Sequence, residues 1–178
     1  MAHICLRGNF KVKVLLAISD KLFGDAVVRF AAKHNWPAGT EFKLICVVAP
    51  LDLQPGKTIE QKKALFDEEK THADKLLSQS KSSFLKLQPE AYTTYEVLVG
   101  HTAKEILSCA HEWHPSMIVM GSHGRRGLER ALLGSVSFYI ASHAPCSVSI
   151  VRAADADMLD FELDESDIPD EMKTHVQV

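Results

Sequence analysis

At 178 residues, 46% apolar and 24% charged, the chain has the size and balance of one soluble domain with its own core. The net charge of −3 joins two unlike parts: residues 153–178 hold nine Asp or Glu and one Lys, and the rest carries 19 Lys or Arg against 14 Asp or Glu. A body near +5 suits a small anionic ligand and is too weakly basic to argue for nucleic acid, which asks for a dense Lys/Arg patch.

Cys5, Cys46, Cys109 and Cys146 are widely spaced and form no CxxC pair, so they read as thiols in a reducing compartment. The opening "MAHICLRGNFKVK" is too polar for a signal peptide, and no apolar run is long enough to span a bilayer. The expectation is a cytoplasmic protein with no membrane contact.

In chain order, "VKVLLAI" (12–18) is a short continuous apolar run and predicts a strand buried on both faces. "FGDAVVRFAAKH" (23–34) carries apolar residues at helical spacing and stops near Pro37 and Gly39. "FKLICVV" (42–48) is a second buried strand, and "APLDLQPG" (49–56) is a loop. A long polar helix follows over 58–87, with Leu65, Phe66, Ala73, Leu76, Leu77, Phe84 and Leu85 as its inner stripe. "AYTTYEVLVG" (91–100) is the third strand. "TAKEILSCAHEW" (102–113) predicts a helix with Thr102 as N-cap and Glu105 completing a capping box. "SMIVM" (116–120) is the fourth strand, 127–143 a helix interrupted by Gly134, and "CSVSIVR" (146–152) the fifth strand.

Strands and helices therefore alternate, and the buried strand runs do not alternate apolar with polar residues. That pattern predicts an α/β fold: an open, parallel, five-stranded sheet with helices on both faces. Ligands of such sheets sit at the carboxyl ends of the strands. This singles out Ser19 and Asp20, Val48 to Pro50, Gly100, and the run Gly121-Ser122-His123-Gly124. A glycine turn bares backbone N–H groups to an approaching phosphate. Gly134 would cost about 1 kcal/mol inside a helix relative to Ala. It is explained if a helix starts there, with Ser135 and Ser137 offering hydroxyls and the new N-terminus offering N–H groups. The two segments would then clamp a polyphosphate. The bland alternative is a strand, a turn and a kinked helix.

The stretch "GSHGRRGLERALLGSVSFYIASHAPCSVSIVR" closely resembles the universal stress protein family. Its ATP-binding members share Gly, two residues, Gly, nine residues, Gly, then Ser or Thr. Gly121, Gly124, Gly134 and Ser135 fit that pattern without a gap. "HAPCSVSIV" is similar to the family's "HAPCPVLVV", and the likeness extends over residues 12–152.

The resemblance implies a Rossmann-like sheet of order 3-2-1-4-5 and a homodimer formed along the fifth strand (146–152). It implies ATP or another adenine nucleotide with Mg²⁺, the ion entering with the phosphates. Gly121 and Gly124 would lie on the phosphates, with Gly134, Ser135 and Val136 beside them, and Ser122, His123 and Ser137 join them as cofactor-binding candidates. Val47 falls where the family's backbone meets adenine and Met120 where an apolar residue often lines the pocket, and Ala17 is a further cofactor-binding candidate. In one respect the chain departs from the family. The first strand commonly ends there in Asp, whereas Ser19 holds that place here and Asp20 comes one residue later. Either Asp20 swings back to the adenosine or the contact is lost.

Arg125 and Arg126 offer charge-assisted contacts to phosphate or remain solvated. His123 is read as a loop residue against nucleotide or partner rather than a proton carrier. "HEWH" (111–114) has its histidines three apart before Pro115 and is no HExxH metal site. No nucleophile–base pair and no carboxylate placed to activate water is visible. The function expected is a regulatory stress-response protein that binds nucleotide and acts through dimerisation or an unknown protein partner. The alternatives are a slow ATP hydrolase or phosphotransferase, and an interaction module without nucleotide. Residues 1–152 form the domain. Residues 153–178 form an acidic tail read as disordered, or as docking on its own body or on a partner. A Ca²⁺ loop at Asp160, Glu162 and Asp164 lacks the glycine and terminal Glu of an EF-hand.

Overall fold

The computed structural model describes residues 11–51, 58–122 and 133–152. Its elements are β1 (Lys13–Ala17), α1 (Lys21–Lys33), β2 (Glu41–Val48), α2 (Ile59–Leu87), β3 (Tyr92–Val99), α3 (Thr102–Trp113), β4 (Met117–Gly121), α4 (Ser135–His143) and β5 (Ser147–Val151). The strands form one sheet in the order β3-β2-β1-β4-β5. Every pairing is parallel. The expected order and direction are therefore what the chain adopts.

The continuous apolar strands follow from burial on both faces. Successive side chains of a strand point to opposite sides. Val14 and Leu16 of β1 go to one side, with Leu44, Val48 and Val119, against Val27 and Ala31 of α1 and Leu77 and Phe84 of α2. Leu15 goes to the other side, with Ile45, Ile118 and Met120, against Ile106 and Ala110 of α3 and Ile140 of α4. Inside the first cluster the Phe42 and Phe84 rings meet at 4.7 Å between centroids.

Two helix starts and one cap differ from expectation. Helix α1 begins at Lys21, with Asp20 as its N-cap. Helix α3 begins at Thr102 itself, behind His101 as N-cap and with no side-chain capping bond, so the expected Thr102–Glu105 box does not form. Glu105 lies instead over Gly100, where an added Cβ would collide with its carboxylate. Helix α4 begins at Ser135; the preceding Leu133 and Gly134 are not helical, and 127–132 lie outside the described residues. Helix α2 runs as expected, from a capping box of Thr58 and Gln61. Its buried residues, Ala73, Leu76, Leu77, Ser80 and Phe84, all fall in its second half.

Cys46 and Cys109 are buried and Cys146 is half-buried. Burial pushes the Cys109 and Cys146 thiols above the usual cysteine range, which makes them poor nucleophiles at neutral pH. Among the described residues no helix is long and apolar enough to cross a membrane. Residues 153–178, the expected acidic tail, and Cys5 lie outside the described residues.

Candidate functional site

Because all five strands run the same way, their carboxyl ends share one edge of the sheet. The centre of that edge is the β1–β4 pair, where Ala17 lies opposite Met120. Strand order reverses there: β1 connects outward to β2 and β3, while β4 and β5 lie on its other side. This is the switch point at which open α/β sheets take ligands.

On the β4 side, the strand ends at Gly121, opposite Val151 of β5. The Ser122 N–H continues this pairing by donating to the Val151 carbonyl at 2.8 Å. Gly121 has no room for a side chain, since an added Cβ would come within 2.9 Å of the Phe23 Cβ. Phe23, in the first turn of α1, thus packs directly on the β4 turn.

The chain returns to this point at Gly134, whose N–H donates to the Ser122 carbonyl at 2.9 Å. Ser137 secures the return: its hydroxyl lies 2.9 Å from the Gly121 carbonyl oxygen and 3.3 Å from that of Ser122, and the residue is buried. Helix α4 therefore starts beside the end of β4. Its N-cap is Gly134, which has no side chain of its own to cap the first N–H groups. Ser135 is exposed and Val136 half-buried at this start.

On the β1 side the helix start is closed. The Phe23 N–H donates to Asp20 Oδ1 at 2.9 Å, and the Ser19 hydroxyl donates to Asp20 Oδ2 at 2.8 Å. Ala17, Val47 and Val136 pack against the cluster that holds Met120, on the sheet face covered by α3 and α4. The Met120 side chain is itself buried, whereas Ala17 and Val47 remain half-exposed.

Of the expected site residues, Gly121, Ser122, Gly134, Ser135, Val136 and Ser137 come together at the β4–α4 junction. Ala17, Val47 and Met120 line the neighbouring face, and Ser19 and Asp20 bond each other at the start of α1. His123, Gly124, Arg125 and Arg126 lie outside the described residues. Two features escaped the sequence. Phe23 packing on Gly121 had no signal beyond the glycine itself. The Ser137 hydroxyl is turned onto two carbonyls rather than outward, which only the fold reveals.

The family model of the universal stress protein family matches residues 12–152. The chain belongs to the universal stress protein family. The curated relative YxiE of Bacillus subtilis is 38% identical over 86 residues, which is 48% of this chain and 57% of that protein. Sll1388 of Synechocystis is 40% identical over 58 residues, 33% of this chain and 38% of that protein. The matched stretches thus span about half or less of these two relatives. Among solved structures, that of hypothetical protein MJ0577 has a TM-score of 0.69 at 20% identity and covers 79% of this chain and 95% of its own. A universal stress protein of Archaeoglobus fulgidus, solved in complex with dAMP, has a TM-score of 0.55 at 20% identity, with 80% and 98% covered.

Proposed function

We propose that this universal stress protein binds an adenine nucleotide, ATP by the glycine spacing, at the carboxyl edge of its sheet. It then works as a regulator through its surface. The observation that carries this reading is the start of α4: a helix N-terminus with a glycine cap, tied beside Gly121 by Ser137. The dipole and bare N–H groups of a helix start favour an anion. The Archaeoglobus relative, described as a dAMP complex, supports an adenine nucleotide as the ligand class. Gly121 and Gly134 to Val136 would face the phosphates, with Gly124, Arg125 and Arg126 from the intervening stretch. Ala17 and Val47 would border the base. Among the described residues no cluster of His, Cys, Asp or Glu could hold a metal. A Mg²⁺ ion would enter on the phosphates, as that ion usually does. Binding would reach a partner only if nucleotide has unequal affinity for two states of the surface. A second copy, meeting this one along β5, is the partner that the family resemblance suggests.

Titration of the full chain with ATP and AMP, with and without Mg²⁺, tests the reading. Saturable binding is expected, and at a hundredfold excess over Kd it adds about 2.7 kcal/mol of stability. A flat calorimetric and thermal-shift response at millimolar nucleotide would sink it. Phosphate release in proportion to enzyme would move the protein to the hydrolase class.

A further inference from the structure

β4 ends on a glycine whose backbone does not ask for one. Gly121 pairs with Val151 of β5, and Ser122 continues the ladder. Among the described residues, the glycines with positive φ are Gly39 and Gly100. Gly121 is therefore not held to glycine by its dihedrals. A missing Cβ has two other uses: it lets a ligand close to the backbone, or it lets a neighbouring side chain in. The direction of the missing Cβ separates the two.

Side chains alternate along β4. Met120 belongs to the face covered by α3 and α4, and Val119 to the face covered by α1 and α2. The Cβ position of Gly121 thus falls on the Val119 face, towards α1. There it meets Phe23: an added Cβ would lie 2.9 Å from the Phe23 Cβ, 3.0 Å from its Cδ1 and 3.1 Å from its Cγ. Carbon atoms in contact sit about 3.5–4.0 Å apart, so a side chain at 121 and the ring at 23 compete for one space. Phe23 is set in place by the first turn of α1, where its N–H donates to Asp20 Oδ1 at 2.9 Å. Helical side chains lean towards the helix N-terminus, which carries this ring to the carboxyl edge of the sheet. The Gly121 carbonyl meanwhile takes the Ser137 hydroxyl at 2.9 Å. The end of β4 is gripped from two sides, by packing from α1 and by a hydrogen bond from α4.

We propose that Phe23 is a positioning residue of the nucleotide site. Its ring fixes the end of β4, so that the backbone of the turn meets the phosphates, and it is the reason that position 121 is glycine. A phosphate would then meet the backbone of this turn and not a space left by the missing side chain. This role rests on the nucleotide reading and goes beyond it, because Phe23 acts through Gly121 without touching the ligand.

Calorimetric titration of the full chain with ATP and with adenosine, beside urea unfolding, tests the role in Phe23→Ala, Phe23→Leu, Gly121→Ala and Phe23→Ala/Gly121→Ala. Adenosine lacks the phosphates, so a fault confined to the phosphate turn leaves its binding alone. Phe23→Ala should weaken ATP roughly tenfold and adenosine less than about twofold. Phe23→Val deletes the ring with a smaller void and should weaken ATP in the same direction. Phe23→Leu keeps Cβ, Cγ and Cδ1, the atoms that meet Gly121, and should hold ATP within about threefold of native. Gly121→Ala should weaken ATP roughly tenfold in the native background and about threefold or less beside Phe23→Ala, because residues in contact are not additive. An equal loss in both backgrounds would mean that the ligand, not the ring, needs the glycine, and would overturn the proposal. Native ATP affinity at reduced stability in Phe23→Ala and Phe23→Val would also overturn it, as would equal losses of ATP and adenosine. In each of these cases the native chain still binds ATP, and the nucleotide reading survives. A native chain that binds neither ligand would overturn the nucleotide reading and the positioning role together.

Discussion

Two helices start side by side at the carboxyl edge of the sheet, and they end their first turns differently. Helix α1 follows β1 and is capped by Asp20, whose carboxylate takes the Phe23 N–H and the Ser19 hydroxyl. Helix α4 starts against the end of β4, the strand next to β1, and is capped by a glycine with no side-chain bond. Both N-termini carry the same partial positive charge. At α1 the chain supplies the anion itself. At α4 the cap residue supplies none. If nucleotide binds at this edge as proposed, the difference says which of the two neighbouring helix starts would take the phosphates.

The comparison breaks most plainly if α4 is made to resemble α1. Gly134 has φ −58° and ψ 149°, which any residue can adopt, so Gly134→Asp adds a capping carboxylate without backbone strain. The cap should stabilise the fold by a few tenths of a kcal/mol and raise Tm by roughly 1 °C. The same carboxylate takes the place of a phosphate, so nucleotide affinity should fall tenfold or more. A variant that is more stable and still binds with native affinity would remove α4 from the site.

Ser137→Ala sharpens the comparison from the other side, with a smaller effect. It removes the hydroxyl that ties α4 to the Gly121 and Ser122 carbonyls near a buried position, while the Ser122 carbonyl keeps the Gly134 N–H. A loss of about 1–3 kcal/mol is expected by thermal or urea unfolding. Affinity should fall as well, because the helix start is no longer held at the β4 turn. Here stability and affinity move together, whereas in Gly134→Asp they part. Full affinity at reduced stability would mean that the tie serves the fold alone.

Most of the architecture could be read from the sequence because its cause is local. The runs "VLLAI" and "MIVM" are apolar at every position, which a sheet covered on both faces demands and a one-sided sheet does not. The helix start at Gly134 could be read because glycine is costly anywhere else in a helix. The use of Asp20 was also legible, in the wrong frame. Taken as starting at Phe23, helix α1 leaves Asp20 free for a ligand; started two residues earlier, "SDKLF" puts Asp20 at the N-cap. Thr102 shows the same error reversed, since a residue with capping chemistry became the first helical residue behind His101. Phe23 on Gly121 and Ser137 on two carbonyls were beyond reach. Each joins segments far apart in the chain, and periodicity carries no information about such contacts.

Asp20 supplies the finest test of the comparison. If its carboxylate serves α1, Asp20→Ala should cost about 1 kcal/mol of stability, the usual loss for a cap. Asp20→Asn, which still offers a side-chain oxygen to the Phe23 N–H, should cost a few tenths. Nucleotide affinity should stay within roughly threefold in both, since about 0.7 kcal/mol or less would then be at stake. The reverse pattern, a tenfold loss of affinity in Asp20→Ala at unchanged Tm, would mean that the carboxylate leaves the helix for the ligand. Asp20 would then stand in for the family's strand-end Asp from one residue further along, and the two helix starts would be two halves of one site.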